Sequence, residues 1–269
     1  MSLLLHFDDE AQLAKALAEA LVWPCAAVRC HHFPDGELKL TLPRVLPERV
    51  VLLRGLHQPN AKLAALLMTA PAARELGARH LSLVAPSLAY MRQDMEFNPG
   101  EAVSQRHIGR ALAAWFDAVV TVDPHLHRVA SMDEVVPGRR GLAVTAAPLL
   151  GGLAARLVPG ALLLAPDAEA DQWVRAAAQA HGLDFAVCHK ERHGDRDVQV
   201  TLRGADVRGR AVVLLDDVAS TGRTLVSAAQ GALASGAASV DVAVTHGLFI
   251  GDALAQVHPT QPREHRLEH

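Results

Sequence analysis

The stretch AVVLLDDVASTGRTL, residues 211–225, limits what this chain can fold into more than any other. Ala211–Leu215 is an unbroken apolar run, the pattern of a strand buried on both faces in a parallel sheet. Two adjacent carboxylates, Asp216 and Asp217, close it. A loop of small and hydroxylated residues follows, Ser220, Thr221, Gly222, Arg223 and Thr224, and then the helical pattern LVSAAQGALASGA. Strand, tight loop and helix N-terminus form an anion cradle, because the orphan N–H groups and the positive helix end point at the ligand, and glycine allows close approach. Carboxylates in such a cradle would repel a phosphate unless they hold sugar hydroxyls or a magnesium ion that carries it. The stretch therefore points to a phosphorylated sugar. On these residues alone, a solvated acidic cap before an ordinary helix fits as well.

Composition narrows the setting. A chain of 269 residues can bury one large core or two ordinary ones, and its alanine, leucine and valine content suits a helix-rich α/β protein. Twenty-six basic against twenty-nine acidic residues leave a formal charge of -3, which argues against nucleic acid as a partner. Three cysteines, Cys25, Cys30 and Cys188, are an odd number without metal-like pairing and suit a reducing, cytoplasmic setting. MSLLLHFDDE has no basic n-region and too short an apolar run, so no cleaved leader is expected, and no run approaches the ~20 residues of a membrane span. The final HRLEH resembles the start of an expression tag.

In chain order, apolar runs and helical spacing alternate. Strands are expected at 2–7, 26–31, 49–53, 80–85, 118–122, 185–188 and 239–245, with a short one inside ALLLAP, and helices at 11–21, 60–77, from 102 onward, within AAPLLGGLAARL and near 250–257. Pro34-Asp35-Gly36 is a turn before the alternating ELKLTL. YMRQDMEFNPGE follows the strand at 80–85 and is too polar for a core element. It sits where open α/β sheets bind ligands, with Arg92 and Gln93 able to hydrogen-bond a nucleotide and Asp94 and Glu96 able to orient Arg92; a solvated loop with local ion pairs fits the same residues. His125 and His127, one residue apart, match either a surface loop or a metal pair. Any of Asp167, Glu169 and Asp171 can cap the next helix, Asp171 first among them, and HKERHGDRDVQV reads as a charged hairpin or flap whose Lys190 and Arg192 can clamp a phosphoryl group. The polar SMDEVVPGRR marks a domain boundary: 1–138, then 139–262, with a tail at 263–269. Both halves hold a buried strand ending in acid, VVTVD and VVLLDD, which suggests a duplicated α/β domain.

The number and order of these segments, from about Phe33 to His246, resemble the ribose-phosphate diphosphokinases (phosphoribosyl-pyrophosphate, PRPP, synthetases), in their short archaeal-like form. VVLLDDVASTGRT is similar to their ribose-phosphate loop and to that of type I phosphoribosyltransferases. The resemblance implies two tandem phosphoribosyltransferase-like domains, each a mainly parallel sheet flanked by helices. It also implies ATP and ribose-5-phosphate as substrates, Mg2+ as cofactor, and a homodimer or larger homo-oligomer. FPDGE matches the adenine-contacting segment that a neighbouring subunit contributes, placing Phe33, Asp35 and Glu37 there. YMRQDMEFNPGEAVS matches the ATP loop, with Arg92 and Gln93. VDPHLHR puts His125 beside metal and phosphates, and APDAEA puts Asp167 on magnesium or ribose. HKER makes Lys190 and Arg192 the catalytic pair. Ribose-5-phosphate falls to Asp216, Asp217, Ser220, Thr221, Gly222, Arg223 and Thr224. Glu169 and Arg223 replace residues that are small in the family, and the two can compensate each other. A phosphoribosyltransferase would need the 216–224 loop without the ATP segments. A regulatory homologue would lack Lys190 and Arg192.

Overall fold

The computed structural model describes residues 1–192, 198–204 and 206–257, with only the backbone of 189–192 and 198–204. Residue contacts divide the chain into two compact units, Met1–Val144 and Thr145–His269.

In the first unit β1 (Ser2–His6) passes through a tight turn into α1 (Ala11–Leu21) and β2 (Cys25–Ala27). A hairpin of β3 (Arg29–His32) and β4 (Leu38–Thr41) follows. Then come β5 (Arg49–Leu53), α2 (Pro59–Glu75), β6 (His80–Ala85), α3 (Ser104–Trp115), β7 (Ala118–Val122), α4 (Met132–Val135) and β8 (Arg140–Val144). Six strands form one parallel sheet in the order β2-β1-β5-β6-β7-β8. Each crossover brings the chain back to the same sheet edge, so the loops after β6 and β7 emerge side by side. Leu52, Leu81, Leu83, Phe116 and Val119 fill the core. Gly109 lets α3 press on the carbonyl of Val135, where a Cβ would lie 1.9 Å from the oxygen. The expected strand over 26–31 is two strands, because Val28 turns inward and is fully buried between them.

A buried charge cluster pins the ends of β1 and β5. Arg54 donates to Asp9 and lies 3.8 Å from Glu10, Glu10 accepts the Gly55 N–H, and Lys62 donates to the Gly55 carbonyl at 2.9 Å. Burial pushes the Glu10 carboxyl up and the Lys62 ammonium down. Removing Arg54 takes from the buried Glu10 carboxylate the cation 3.8 Å away, while Lys62 stays 3.5 Å from Asp9. Arg54→Ala is expected to cost about 3 kcal/mol of stability, read from urea unfolding. A loss below about 1 kcal/mol would show that the cluster is solvated enough to rearrange.

The second unit runs α5 (Ala147–Leu157), β9 (Leu162–Ala165), α6 (Asp171–His181), β10 (Phe185–Arg192), β11 (Val198–Gly204), β12 (Ala211–Ala219), α7 (Arg223–Ala234), β13 (Ser239–Gly247) and α8 (Ala253–Val257). Its sheet order is β11-β10-β9-β12-β13, parallel except for β11. Strand β12 is central and two-sided, as its apolar run requires. Val213 and Leu215 pack on one layer with Val174 and Ala177, while Val212 and Leu214 pack on the other with Leu225 and Ala228. The strand does not stop at the acids: pairing with β13 continues to Ala219↔Gly247, so Asp216 and Asp217 sit inside it. No helix among the described residues is long and apolar enough to cross a membrane.

Candidate functional site

In the first unit the hairpin tip is built by local turn chemistry. Phe33 donates its N–H to Glu37 at 2.9 Å, Gly36 closes the turn at φ +93, and the Asp35 carboxylate accepts the Glu37 N–H at 3.1 Å. Phe33, Asp35 and Glu37 are all exposed, and the His31 ring meets Phe33 edge-on at 5.0 Å. An aromatic ring and two carboxylates therefore stand out from the unit that carries them.

The loop after β6 is shaped by carboxylates. Gln93 gives its amide N–H groups to Met95 O and Glu101 Oε2, at 3.2 and 3.1 Å. Glu101 also takes the Phe97 N–H at 3.2 Å and the Asn98 amide at 2.6 Å, and these bonds, Asn98 foremost, hold its carboxyl below the usual range. Arg92 is exposed. Asp94 does not orient Arg92 as expected: its side chain is 2% exposed and accepts two 2.8 Å bonds from Arg128 Nη1. Glu96 accepts the Gly100 N–H instead of meeting Arg92. Arg128 reaches across from the neighbouring β7 loop, which also holds His125. The His125 and His127 rings stack edge to face at 3.9 Å, both half-buried.

In the second unit the neighbours β9 and β12 bring acids to one edge. Asp167 follows β9 and caps the next turn, its Oδ1 accepting the N–H groups of Glu169 and Ala170 at 3.0 and 3.2 Å. Asp171, expected as the cap, pairs with Arg175 at 3.0 Å instead. Burial, then the Asp217 charge, then that of Asp167, push the Asp216 carboxyl up to about 8. Asp217 is 5% exposed.

The 220–224 loop leads straight into α7. Gly222 caps it at φ +70, where a Cβ would lie 2.7 Å from Val257 Cγ2. Among the described residues the amides of Arg223, Thr224 and Leu225 meet no backbone acceptor, while Ser220 O and Ala219 O are held by Ile250 and Phe249. Arg223 is exposed and forms no ion pair among the described residues, so it does not neutralise Glu169. Ser220 and Thr224 are half-buried and Thr221 is exposed.

Lys190 and Arg192 belong to β10, in register with Val200 and Val198 of β11, so the backbone here is a hairpin. Their side chains lie outside the described residues, as does Gly194. Two residues at these sites were not singled out from sequence. Glu101 stands within the quoted NPGE run, and Arg128 closes VDPHLHR; each charge sits next to a predicted binding residue.

The chain matches two family models: the N-terminal domain of ribose phosphate pyrophosphokinase over residues 2–115, and the phosphoribosyl transferase domain over 141–260. A ribose-phosphate pyrophosphokinase from Methanopyrus kandleri is 34% identical, over 95% of this chain and 87% of its own length. Those from Thermococcus kodakarensis and Halobacterium salinarum are 32% and 34% identical, over 94% and 93% of this chain and 86% and 88% of theirs. The crystal structure of a phosphoribosylpyrophosphate synthetase from Mycobacterium smegmatis shares the fold, with TM-score 0.80 and 23% identity over 95% of this chain and 84% of that one.

Proposed function

The chain belongs to the ribose-phosphate pyrophosphokinase family, and from that premise we propose that it joins ATP and ribose-5-phosphate to give PRPP and AMP. The observation that carries this reading is the pairing, in one chain, of a sugar-phosphate loop with a full set of nucleotide segments. A phosphoribosyltransferase needs only the former. In the reaction the C1 hydroxyl oxygen bonds to the β-phosphorus, the bond from that phosphorus to the α–β bridging oxygen breaks, and the hydroxyl proton passes to solvent.

Such a transfer asks the protein for alignment and charge rather than covalent chemistry. The first unit, on this reading, serves ATP through Arg92, Gln93 and His125. Phe33, Asp35 and Glu37 reach the adenine bound by a neighbouring subunit, which their outward stance favours and which makes the active form a homo-oligomer. In the second unit the orphan amides of the loop after β12, with Ser220, Thr221, Gly222, Arg223 and Thr224, take the 5-phosphate, and Asp216 and Asp217 take the ribose hydroxyls. Lys190 and Arg192 meet the charge that builds on the phosphoryl oxygens.

Magnesium fits the donor set. Asp167 keeps its Oδ2 clear of the cap it makes, and Asp216 is pushed up by burial and then by its acidic neighbours, whose repulsion a hard dication relieves. Asp167 in the second unit and, separately, His125 in the first are each proposed as a magnesium-binding residue. Bound there, the ion would neutralise phosphate charge and orient the diphosphate. Three free cysteines support a cytoplasmic setting.

Phosphorus NMR tests the reaction directly. Protein with ATP, Mg2+ and ribose-5-phosphate is expected to release AMP and a C1 diphosphate in equal amounts, and only when the sugar is present. Bound but unconsumed ATP would overturn the assignment, and consumption of added PRPP with a purine base would replace it with a transferase.

A further inference from the structure

We propose that Arg128 is a positioning residue for the nucleotide segments: through the buried Asp94 carboxylate it locks the loop after β6 to the loop after β7, and so sets Arg92 and Gln93 against His125. The inference rests on reading both loops as nucleotide segments, and it deepens that reading by naming what aligns them.

Strands β6 and β7 are parallel neighbours, and their loops are tied at the base, where Val122 donates its N–H to the Pro86 carbonyl at 3.2 Å. Beyond that point neither loop belongs to a helix or strand, so side chains must set the spacing. Arg128 does so from a fixed base. Leu126 and Val129 on either side of it pack on the core of the unit, and Glu134 accepts the Ala130 N–H at 3.0 Å. From there the guanidinium grips the other loop at two points. Its Nη1 donates to both Asp94 oxygens at 2.8 Å, and its Cζ lies 5.8 Å from the centre of the Phe97 ring.

The two ends of the pair differ in what they tolerate. The Arg128 side chain is half exposed, so water serves it when the pair breaks, whereas that of Asp94 is 2% exposed. No other cation pairs with Asp94 among the described residues. Without Arg128 a bare carboxylate is left in the interior, and it must move out or take up a proton. Gln105, at the start of α3, holds the Gln93 carbonyl at 3.2 Å and the Met91 carbonyl at 3.3 Å, on either side of Arg92. Asp94 is the next residue, so its escape pulls directly on that short stretch. A displacement of about 1 Å is enough to cost a large factor where alignment is the catalytic device.

The experiment measures ATP binding to the full-length protein by calorimetry, with Mg2+ and no sugar, well below the melting temperature. Steady-state KM values for ATP and for ribose-5-phosphate follow. Arg128→Ala is expected to weaken ATP binding and raise its KM by about tenfold or more, while KM for ribose-5-phosphate holds, the sugar loop being in the other unit. Arg128→Lys is expected to recover part of the affinity, since a single nitrogen makes both bonds to Asp94 and an ammonium can repeat them. Adding Asp94→Asn to Arg128→Ala is expected to cause no further loss, because the charge that had to escape is gone. If Arg128 only holds the fold together, Arg128→Ala melts lower while its folded fraction binds ATP like wild type, which overturns the proposal. Losses that add in the double variant overturn it too. Arg92→Ala tests the premise by itself. If that variant binds ATP like wild type, the loop does not read the nucleotide, and premise and proposal fall together. If it loses ATP while Arg128→Ala keeps it, the loop reading stands and Arg128 does not position it.

Discussion

Lys190→Ala is expected to lower kcat for PRPP formation by ~10²–10³, the loss that follows removal of one well-placed charge donor from a transition state. The proposed reaction concentrates charge on the transferring phosphoryl oxygens while nucleophile and leaving group are both partly bonded. A cation there stabilises the transition state more than the bound substrates, so kcat falls and KM for either substrate moves little. Lys190 lies on β10, whose backbone pairs with β11 through this very residue. Alanine leaves that pairing intact, so circular dichroism and the melting temperature should match wild type. Lys190→Arg keeps the charge but changes its shape and reach, and should recover only part of the rate. A Lys190→Ala variant with wild-type turnover would remove Lys190 from the chemistry and leave Arg192 as the one cation proposed there.

The parts of the fold legible from sequence were those with one dominant cause. Strand β12 announces itself because burial on both faces demands an unbroken apolar run, and the loop after it because only certain residues make a helix-capping turn. Strand β8 was hidden by its place at the sheet edge: Leu142 and Val144 are 45% and 43% exposed, so no buried pattern exists to read. Asp216 and Asp217 hid the true end of β12, since acids are poor strand formers and only pairing with β13, a tertiary effect, carries the strand past them. The Arg128–Asp94 pair spans 34 residues and follows from which strands are neighbours, a fact that local spacing does not contain. Glu101 is a different case. Its partners lie within eight residues, but they meet through an irregular loop, where neither helical nor strand periodicity says which side chains face each other.

Asp216→Asn is expected to stabilise the free protein and disable it at the same time. Burial and the charges of Asp217 and Asp167 raise this carboxyl from 3.8 to about 8 in the folded state. The folded protein therefore binds the proton more tightly than the unfolded chain does. A group shifted in that direction favours folding most below its unfolded value, and its contribution is lost as pH rises through about 8. In magnesium-free buffer the wild-type melting temperature should decline between pH 5 and 9, while asparagine, which cannot ionise, escapes that term. The variant should melt higher at pH 9, by on the order of 5 °C, with a much smaller gap at pH 5. Its kcat/KM for ribose-5-phosphate should fall by on the order of 10², because the asparagine NH2 cannot accept and takes the place of a carboxyl oxygen that receives a sugar hydroxyl. A variant less stable than wild type at pH 9 would mean that the ionised carboxylate is well compensated, and unchanged sugar kinetics would take Asp216 out of the site. Holding two acids side by side in a buried strand costs folding energy that a packed apolar pair would not. A chain keeps such a cost where the ligand repays it.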